Sequence, residues 1–338
     1  MTLASRAAPV SSDPLARLDR HLATAHHREQ LATDVRRGLT APRKWLPPKY
    51  FYDDEGSRLF EAICELPEYY LTRTEDALLA RIAGEVIAAA APTQLVELGS
   101  GASRKTRQLL DALVATQPDP WYVPVDVNET MLRQSIAALR ADYPTVGVHA
   151  LVADFEQGLP PLPPAARRLV AFLGSSIGNF VPPADVRLLA ALAARSQPGD
   201  GLLLGADLVK APARLEAAYD DAAGVTAAFN RNVLRVINRE LDADFAPDRF
   251  THVARYDAER AQIEMYLRAD GAQRVRIAAL DLTVEFAAGE TIHTETSRKF
   301  TRASLETMLA ASGWRLTDWY ASPDDAFALL LARVEGTA

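Results

Sequence analysis

The chain has 338 residues, a formal net charge of −7 at pH 7 and 24% charged residues. Its length suffices for one large or two modest domains, and its acidity excludes the basic surface of a typical nucleic-acid-binding protein. The single cysteine, Cys64, excludes an intrachain disulfide, and the six histidines have no zinc-ligand spacing. We therefore predict no metal site and no nucleic-acid partner, and we expect a small-molecule substrate.

The N-terminal residues are rich in Ala, Ser and Pro and lack the apolar core of a signal peptide. No apolar run in the chain is long enough to span a bilayer. We expect residues 1–20 to be disordered or frayed. We also expect a cytoplasmic protein that contacts no membrane and is a monomer.

In the middle of the chain, short apolar runs alternate with amphipathic stretches, which is typical of an α/β fold. The pattern predicts five strands, at 94–98, 121–127, 146–155, 169–173 and 201–208. Helical stretches separate them, so the strands should form a mostly parallel sheet with helices on both faces. Further on, residues 314–319 and 326–334 predict two strands whose short link requires antiparallel pairing.

A second lobe is predicted from the segments that break this regularity. Residues 211–238 have a helical pattern, and 250–297 predict several strands joined by turns. We assign 73–208 and 300–338 to the sheet domain, and 21–72 and 209–299 to an α+β substrate-binding lobe. The acidic run Asp53-Asp54-Glu55 has no histidine or cysteine nearby, so a turn or helix N-terminus is favoured over a metal site.

Candidate ligand-binding residues follow three successive strands, at the edge where open α/β sheets bind ligands. The first predicted strand runs into Glu97-Leu98-Gly99-Ser100-Gly101, where glycines let the backbone approach a ligand closely. Arg104 stands where a dinucleotide fingerprint needs a third small residue, which disfavours NAD.

The next two strand ends carry an acid and an acid–aromatic pair. Asp126 has a carboxylate that can accept both hydroxyls of a ribose, and Asp154-Phe155 can bind an adenine amino group and pack on the base. Taken singly, Asp126 is more simply a capping or solvated acid, and Phe155 a core residue. Their order on successive strands predicts S-adenosyl-L-methionine as the cofactor. The fold class is then α/β, the Rossmann-like class I methyltransferase fold with an antiparallel C-terminal pair.

Several segments resemble the histidine-specific N-alpha-methyltransferases of ergothioneine biosynthesis. The resemblance extends from about Leu46 to the C-terminus and rests on five motifs: LPPKYFYDD at 46–54, LPEYY at 66–70, ELGSGASRK at 97–105, GSSIGNF at 174–180 and TETS at 294–297. It implies trimethylation of the α-amino group of L-histidine to hercynine, with S-adenosyl-L-homocysteine as the second product.

The resemblance also implies the site residues. The implied cofactor contacts are Tyr52, Gly99, Lys105, Asp126, Asp154 and Phe155. The implied substrate contacts are Phe60, Tyr69, Gly174, Asn179, Tyr219, Thr226, Met265, Glu295 and Ser297. Tyr52 is the implied catalytic residue, either as a base or as a group that orients the amine.

Some of these roles also have a physical basis in the residues themselves. Asn179 and Tyr219 can both donate hydrogen bonds to a carboxylate, although taken singly a turn residue and a half-buried helix aromatic are the simpler interpretations. Glu295 and Ser297 are two apart on a predicted strand and therefore share a face, where they can satisfy the two nitrogens of an imidazole. A simpler interpretation is an exposed polar strand face, and Met265 is equally suited to core packing.

Two alternatives remain open from the sequence. One is N-methylation of another amino acid such as tyrosine or tryptophan, although an indole or phenol has no second ring nitrogen for this pair to satisfy. The other is a non-catalytic sensor of an adenosyl ligand, which would not need the four polar substrate residues together.

Overall fold

The structure is a computed structural model, and it describes residues 13–22 and 24–334. Its strands, in chain order, are β1 (Ala16–Arg20), β2 (Lys44–Trp45), β3 (Gln94–Leu98), β4 (Trp121–Asp126), β5 (Gly147–Val152), β6 (Arg168–Phe172), β7 (Gly201–Asp207), β8 (Phe250–Asp257), β9 (Gln262–Ala269), β10 (Gln273–Ile277), β11 (Leu282–Phe286), β12 (Thr291–Arg298), β13 (Trp314–Ala321) and β14 (Phe327–Val334).

The α-helices, in chain order, are α1 (Thr24–Leu39), α2 (Asp54–Cys64), α3 (Tyr70–Ala90), α4 (Arg107–Thr116), α5 (Glu129–Asp142), α6 (Ala184–Ala193), α7 (Pro212–Tyr219), α8 (Val225–Leu241) and α9 (Arg302–Ala311). Short 3₁₀ turns lie at Pro48–Phe51, Ser176–Asn179, Pro247–Arg249 and Ala278–Leu280. The chain divides into two compact units. Of the described residues, the first unit contains 13–22, 73–208 and 300–334, and the second contains 24–72 and 209–299.

The first unit is built on an eight-stranded sheet with the order β1-β5-β4-β3-β6-β7-β14-β13. Strands β1 and β3 to β7 are parallel, whereas β14 pairs antiparallel with both β7 and β13. Apolar clusters cover each face of the sheet, and every residue of β3, β6 and β7 is buried. This is the doubly covered sheet expected for parallel strands, and the predicted α/β fold with its antiparallel C-terminal pair is confirmed.

The five central strands lie where the hydrophobic runs predict them. The first, β3, has the predicted bounds, and the others end within a few residues of their predicted positions. The third ends at Val152, so Asp154 and Phe155 lie just beyond its carboxyl end rather than within it.

The prediction of a frayed segment over residues 1–20 is wrong for its last part. Residues 1–12 lie outside the described residues, but Ala16–Arg20 forms the edge strand β1, paired in parallel with β5 from Ala16↔Val148 to Arg20↔Val152. Ala16 and Leu18 are buried, and Arg20 forms an ion pair with Glu129. Two inward apolar side chains in a five-residue strand give too short a period-2 pattern to predict it.

The second unit contains a four-stranded sheet with the order β2-β12-β9-β8, and a separate hairpin formed by β10 and β11. Strands β8, β9 and β12 are antiparallel, with a register shift in β12 between His293 and Glu295. The helical stretch predicted over 211–238 forms two helices, α7 and α8, because Gly224 adopts a left-handed conformation (φ 73°) between them.

The acidic run at Asp53 begins a helix, as predicted. The Asp53 carboxylate caps α2 by accepting a hydrogen bond of 2.8 Å from Gly56 N. Within residues 13–22 and 24–334, no helix is long and apolar enough to cross a membrane. In the same described part, no three His, Cys, Asp or Glu side chains are grouped so as to hold a metal ion.

Candidate active site

The glycine loop after β3 turns sharply across the end of the parallel sheet. Gly99 and Gly101 both have positive φ, 68° and 50°, which glycine adopts without steric cost. Gly99 N donates to Val125 O (2.8 Å), which ties the loop to the end of β4. A Cβ at Gly101 would meet no atom within 4 Å, so the loop leaves open space beside its backbone.

Asp126, the last residue of β4, is bound to this loop. One carboxylate oxygen accepts from Gly101 N (2.9 Å), and the other accepts from Asn128 N (2.9 Å) at the start of α5. Burial raises the pKa of Asp126, and the backbone N–H groups around it oppose that shift. Each oxygen keeps a lone pair, so the carboxylate can still accept hydrogen bonds from a vicinal diol.

Ser100, between the two glycines, has an unsatisfied polar atom. Its Oγ is buried and has no hydrogen-bond partner in the described part of the chain. Buried hydroxyls are nearly always paired, so an unpaired one in a loop of this kind fits a site that a bound ligand completes. The loop, Asp126 and the open space beside Gly101 together fit an adenosyl group.

Phe155 lies against the same loop. Its ring atom Cζ would lie 4.0 Å from a Cβ on Gly99, and the ring stacks on Phe180 with centroids 6.4 Å apart. The neighbouring Asp154 accepts hydrogen bonds from Glu156 N (3.0 Å) and Gln157 Nε2 (2.6 Å). The aromatic face and the acid therefore lie side by side after β5, in the arrangement predicted for binding a base.

A buried glutamate that the sequence analysis did not identify joins two predicted site residues. Glu75 in α3 is fully buried, forms an ion pair with Lys105, and accepts from Gly174 N at 2.8 and 3.0 Å. Gly205 in β7 makes room for it, since a Cβ there would lie 2.2 Å from Glu75 Oε1. Lys105 and the loop after β6, which continues to Asn179, are thus held by one carboxylate.

Glu97 is directed into the core and not toward a ligand. It is 3% exposed and accepts hydrogen bonds from Thr106 Oγ1 and Tyr122 Oη. Burial raises its pKa to about 7, although both donors oppose the shift. Glu97 therefore ties Thr106, which follows the glycine loop, to Tyr122 of β4.

In the second unit, aromatic rings from three segments form a cluster. Phe229 in α8 contacts Tyr52 (centroids 5.4 Å apart) and Phe60 in α2 (5.9 Å). Phe60 also contacts Tyr52 (5.6 Å) and Tyr69 (6.1 Å), and Tyr69 in turn lies 6.2 Å from Tyr219. Most of these pairs are edge-to-face, and rings of this kind can attract a cation.

A hydrogen-bonded cluster extends from Tyr219, at the end of α7. Its hydroxyl lies 2.8 Å from Ser297 Oγ on β12, and Lys299 Nζ lies 2.9 Å from each of the two oxygens. We call these three residues the hydroxyl–lysine cluster. All three side chains are buried, so a positive charge and two hydroxyls are gathered in a water-poor environment.

Glu295 is the acidic counterpart of this cluster. It lies on the same face of β12 as Ser297 and pairs across the sheet with Met265 of β9. It is 9% exposed, and burial raises its pKa to about 7, while the charge of Lys299 opposes the shift. Sequence parity predicted that Glu295 and Ser297 share a face, but not that this face is buried.

Thr226 lies one turn before Phe229, in the first turn of α8, where its backbone N donates to Asp221 Oδ1 (2.7 Å). On the next turn, Asn230 Nδ2 lies 2.8 Å from His252 Nδ1, and His252 Nε2 lies 2.8 Å from the backbone oxygen of Tyr219. Burial lowers the pKa of His252, so the neutral ring links α8 to the end of α7.

The predicted site residues fall into two groups. In the first unit lie Gly99, Lys105, Asp126, Asp154, Phe155, Gly174 and Asn179, each at or beyond the carboxyl end of a parallel strand. In the second unit lie Tyr52, Phe60, Tyr69, Tyr219, Thr226, Met265, Glu295 and Ser297. Tyr52 is thus the one predicted cofactor residue in the second unit, and Gly174 and Asn179 are the predicted substrate residues in the first.

Two of the three residues that sequence reasoning missed had usable signals, and the third did not. Lys299 continues the alternation of Glu295 and Ser297, so strand parity would have included it. Phe229 lies three residues after Thr226, on the same helical face. Glu75 had no such signal, because its partners are distant in sequence.

The sheet with its antiparallel last pair, and the glycine loop joined to a strand-end carboxylate, define a class I S-adenosylmethionine-dependent methyltransferase. Residues 31–334 match the model of a family described as "Histidine-specific methyltransferase, SAM-dependent". The chain belongs to this family, and the resemblance inferred from its motifs is confirmed.

Curated relatives agree with the family. The chain is similar to the histidine N-alpha-methyltransferase of Mycolicibacterium smegmatis, with 53% identity over 93% of the chain and 98% of the relative. It is 51% identical to the histidine N-alpha-methyltransferase of Mycobacterium tuberculosis, over 89% of the chain and 94% of the relative. Ergothioneine biosynthesis protein 1 of Schizosaccharomyces pombe is 32% identical over 66% of the chain, which covers 30% of that longer protein.

Proposed function

We propose that this enzyme transfers three methyl groups in succession to the α-amino nitrogen of L-histidine, forming hercynine in the first step of ergothioneine biosynthesis. Family membership and the two full-length relatives named as histidine N-alpha-methyltransferases support this proposal. The structural observation that carries it is the buried pairing on β12 of a carboxylate, Glu295, with a hydroxyl, Ser297. An imidazole ring presents two nitrogens that need such partners.

S-adenosyl-L-methionine supplies an electrophilic methyl group when it is bound. In the proposal, Asp126 accepts hydrogen bonds from its ribose hydroxyls, Asp154 binds the adenine amino group and Phe155 packs on the base. Gly99 allows the backbone to approach the cofactor closely. Lys105, held by Glu75, binds the carboxylate of the cofactor. The main contribution of these residues is positioning, because in-line displacement depends on alignment.

The amino acid is bound by its two ends. In the proposal, Asn179 and Tyr219 hold the α-carboxylate, with Gly174 beside Asn179, while Glu295 and Ser297 hold the ring against Met265. Thr226 completes the lining from α8. Glu295 then favours histidine over tryptophan or tyrosine, because an indole or phenol would leave either the acid or the hydroxyl unsatisfied.

The amine must be deprotonated before it can attack. An α-amino group has a pKa of about 8 in peptides, so a proton must leave before each transfer. Tyr52 orients the amine or accepts its proton in this proposal. The trimethylated product is a permanent cation without N–H donors, which the rings of Tyr52, Phe60 and Tyr69 can stabilise by cation–π attraction.

One assay separates this function from its rivals. The protein is incubated with S-adenosyl-L-methionine and an equimolar mixture of amino acids, and the products are resolved by mass spectrometry. We expect histidine alone to gain one, two and finally three methyl groups. Methylation of tyrosine or tryptophan instead would establish a different substrate, and no methylated product would support a non-catalytic sensor.

A further inference from the structure

Lys299 is a buried cation in the second unit that the proposed mechanism leaves without a role. It follows β12 directly, is 4% exposed, and its Nζ lies 2.9 Å from both Tyr219 Oη and Ser297 Oγ. The same Nζ lies 4.6 Å from the centroid of the Tyr219 ring. Lysine is seldom buried, so its presence at two proposed substrate contacts calls for a chemical reason.

The ammonium group determines which kind of partner this part of the site accepts. An ammonium has donors only, so both hydroxyl oxygens accept from Lys299 and each gives up one lone pair. The two hydroxyls also share a hydrogen bond of 2.8 Å. The hydroxyl–lysine cluster is therefore rich in donors and positively charged, whereas Glu295, on the same face of β12, is an acceptor.

Burial also determines the charge of the other titratable groups around Glu295 and Lys299. Tyr69 and Tyr219 contact one another, and Tyr256 on β8 interacts with Lys299; burial raises the pKa of Tyr69 and of Tyr256, so these two phenols stay neutral. Cys64 and Tyr52 interact electrostatically with Tyr69. His252, which contacts the backbone oxygen of Tyr219, is kept neutral because burial lowers its pKa, while the charges of Asp220 and Asp221 oppose that shift.

Above about pH 7, where the buried Glu295 is ionised, this part of the site has no net charge when Lys299 is protonated. A neutral imidazole has one N–H and one lone pair, and therefore suits one acceptor and one donor cluster. An imidazolium has two N–H groups and a positive charge, so one N–H would face the donor cluster and the charge would be repelled by Lys299. Neutral imidazole preserves the charge balance, and imidazolium does not.

We infer that Lys299 is a specificity-determining residue, which makes the site select the neutral imidazole form of its ligand. The inference rests on the proposed function, because it takes histidine and its betaine as ligands. In its absence, Glu295 could also bind an imidazolium as an ion pair, and the preference for the neutral form would be lost.

Hercynine is the ligand for this test, because its imidazole is the group whose protonation changes between the two pH values. Its α-nitrogen carries no proton, so the α-amino group does not contribute to the pH dependence of binding. We measure its affinity by calorimetry, with S-adenosyl-L-homocysteine present, at about pH 8 and about pH 5.5. For the wild-type enzyme we expect binding at least tenfold weaker at the lower pH. Imidazole, with a pKa near 6.5, and Glu295, with a pKa of about 7, must then both lose a proton to form the complex. Proton release on binding, measured in buffers of different ionisation enthalpy, should accompany this loss.

Lys299→Met removes the charge and keeps an unbranched side chain. We expect this variant to lose the pH dependence, with hercynine affinities within about threefold at the two pH values. Lys299→Arg keeps the charge and should restore the loss at low pH. Arg298→Met is the matched control, because it removes a cation one residue earlier, on the opposite face of the strand, and should behave like wild type.

The outcomes separate the two claims. If hercynine does not bind the wild-type enzyme at either pH, the proposed function fails. If it binds equally well at both pH values without releasing protons, or if Lys299→Met shows the same loss as wild type, the inference about Lys299 is overturned while the function stands. The wild-type measurement needs no variant, so the test does not depend on the folding of Lys299→Met.

Discussion

Glu295 provides the sharpest test of the substrate assignment at the level of a single side chain. We expect Glu295→Ala to weaken histidine binding by tenfold to a hundredfold, since hydrogen bonds to a charged group contribute about 1.5–3 kcal/mol. Binding of S-adenosyl-L-homocysteine should stay unchanged. Titration calorimetry measures both, and Glu285→Ala, which removes an exposed acid from β11, serves as the control. An unaltered histidine affinity would show that Glu295 does not bind the ring.

Asp126 provides the equivalent test for the cofactor. We expect Asp126→Ala to weaken S-adenosyl-L-methionine binding by at least tenfold, because the variant loses both the proposed ribose contacts and the bond that holds Gly101 N. Asp119→Ala removes an exposed acid from the same unit and should bind the cofactor normally. A dissociation constant equal to that of the wild type would eliminate the ribose role of Asp126.

The residues that could be predicted share a simple local rule. Gly99, Asp126 and Phe155 lie at or just beyond the ends of successive parallel strands, and hydrophobic runs indicate where strands end. Glu75 could not be found in this way, because its contacts to Lys105 and Gly174 depend on where α3 packs. Long-range packing of a helix is not encoded in any short pattern, so a buried carboxylate of this kind becomes visible only in three dimensions.

Helix α2 shows how one cap can anchor a whole element. Asp53 accepts from Gly56 N (2.8 Å), from Asn232 Nδ2 (2.7 Å) and from Arg239 Nη1 (2.9 Å), and so ties the start of α2 to α8. We expect Asp53→Ala to lower the free energy of unfolding by about 2 kcal/mol, of which about 1 kcal/mol comes from the lost cap.

Urea denaturation followed by circular dichroism measures this difference. The adjacent Asp54→Ala is the matched control: Asp54 is exposed, and the change should alter the free energy of unfolding by less than about 0.5 kcal/mol. Equal destabilisation by the two variants would mean that the charge near the helix terminus matters, and not the Asp53 bonds.

Among the elements, predictability followed the length of the hydrophobic pattern. The five buried strands of the parallel sheet and the C-terminal pair were predictable, because continuous apolar runs bounded by polar segments leave few alternatives. Strand β1 was not, since only Ala16 and Leu18 point inward. The register shift in β12 between His293 and Glu295 was also invisible, although it lies directly beside the proposed imidazole contacts.

For the whole molecule, Glu295, the acid that we propose binds the imidazole, lowers stability when it is ionised. The pKa of Glu295 is raised to about 7, against 4.5 for a free side chain, so the folded state favours the protonated form. Its contribution therefore lowers the free energy of unfolding as the pH rises from 4.5 to 7, by up to about 3 kcal/mol. Glu295→Gln should remove this penalty and be more stable than the wild type at pH 8, with no difference below pH 4.5.

The quantity to measure is the difference in free energy of unfolding between Glu295→Gln and the wild type. His252 and His293 have lowered pKa values and contribute stability that grows with pH, which opposes the effect of Glu295 in the wild-type profile. Urea denaturation of both proteins at a series of pH values cancels these shared terms. A difference that does not change with pH would contradict a buried, ionisable Glu295. A variant that gains stability while losing histidine affinity is the expected mark of a residue retained for function.

The antiparallel end of the first unit's sheet has a consequence for synthesis on the ribosome. Strand β7 is entirely buried in the folded protein, and its outer neighbour β14 is the last strand of the described residues. Between them the ribosome must make the whole of Val209–Lys299, then α9 and β13. The nascent chain therefore carries an apolar strand with one unpaired edge until β14 has been made. Stalled or prematurely terminated products that lack β14 should be the species that aggregate and recruit chaperones.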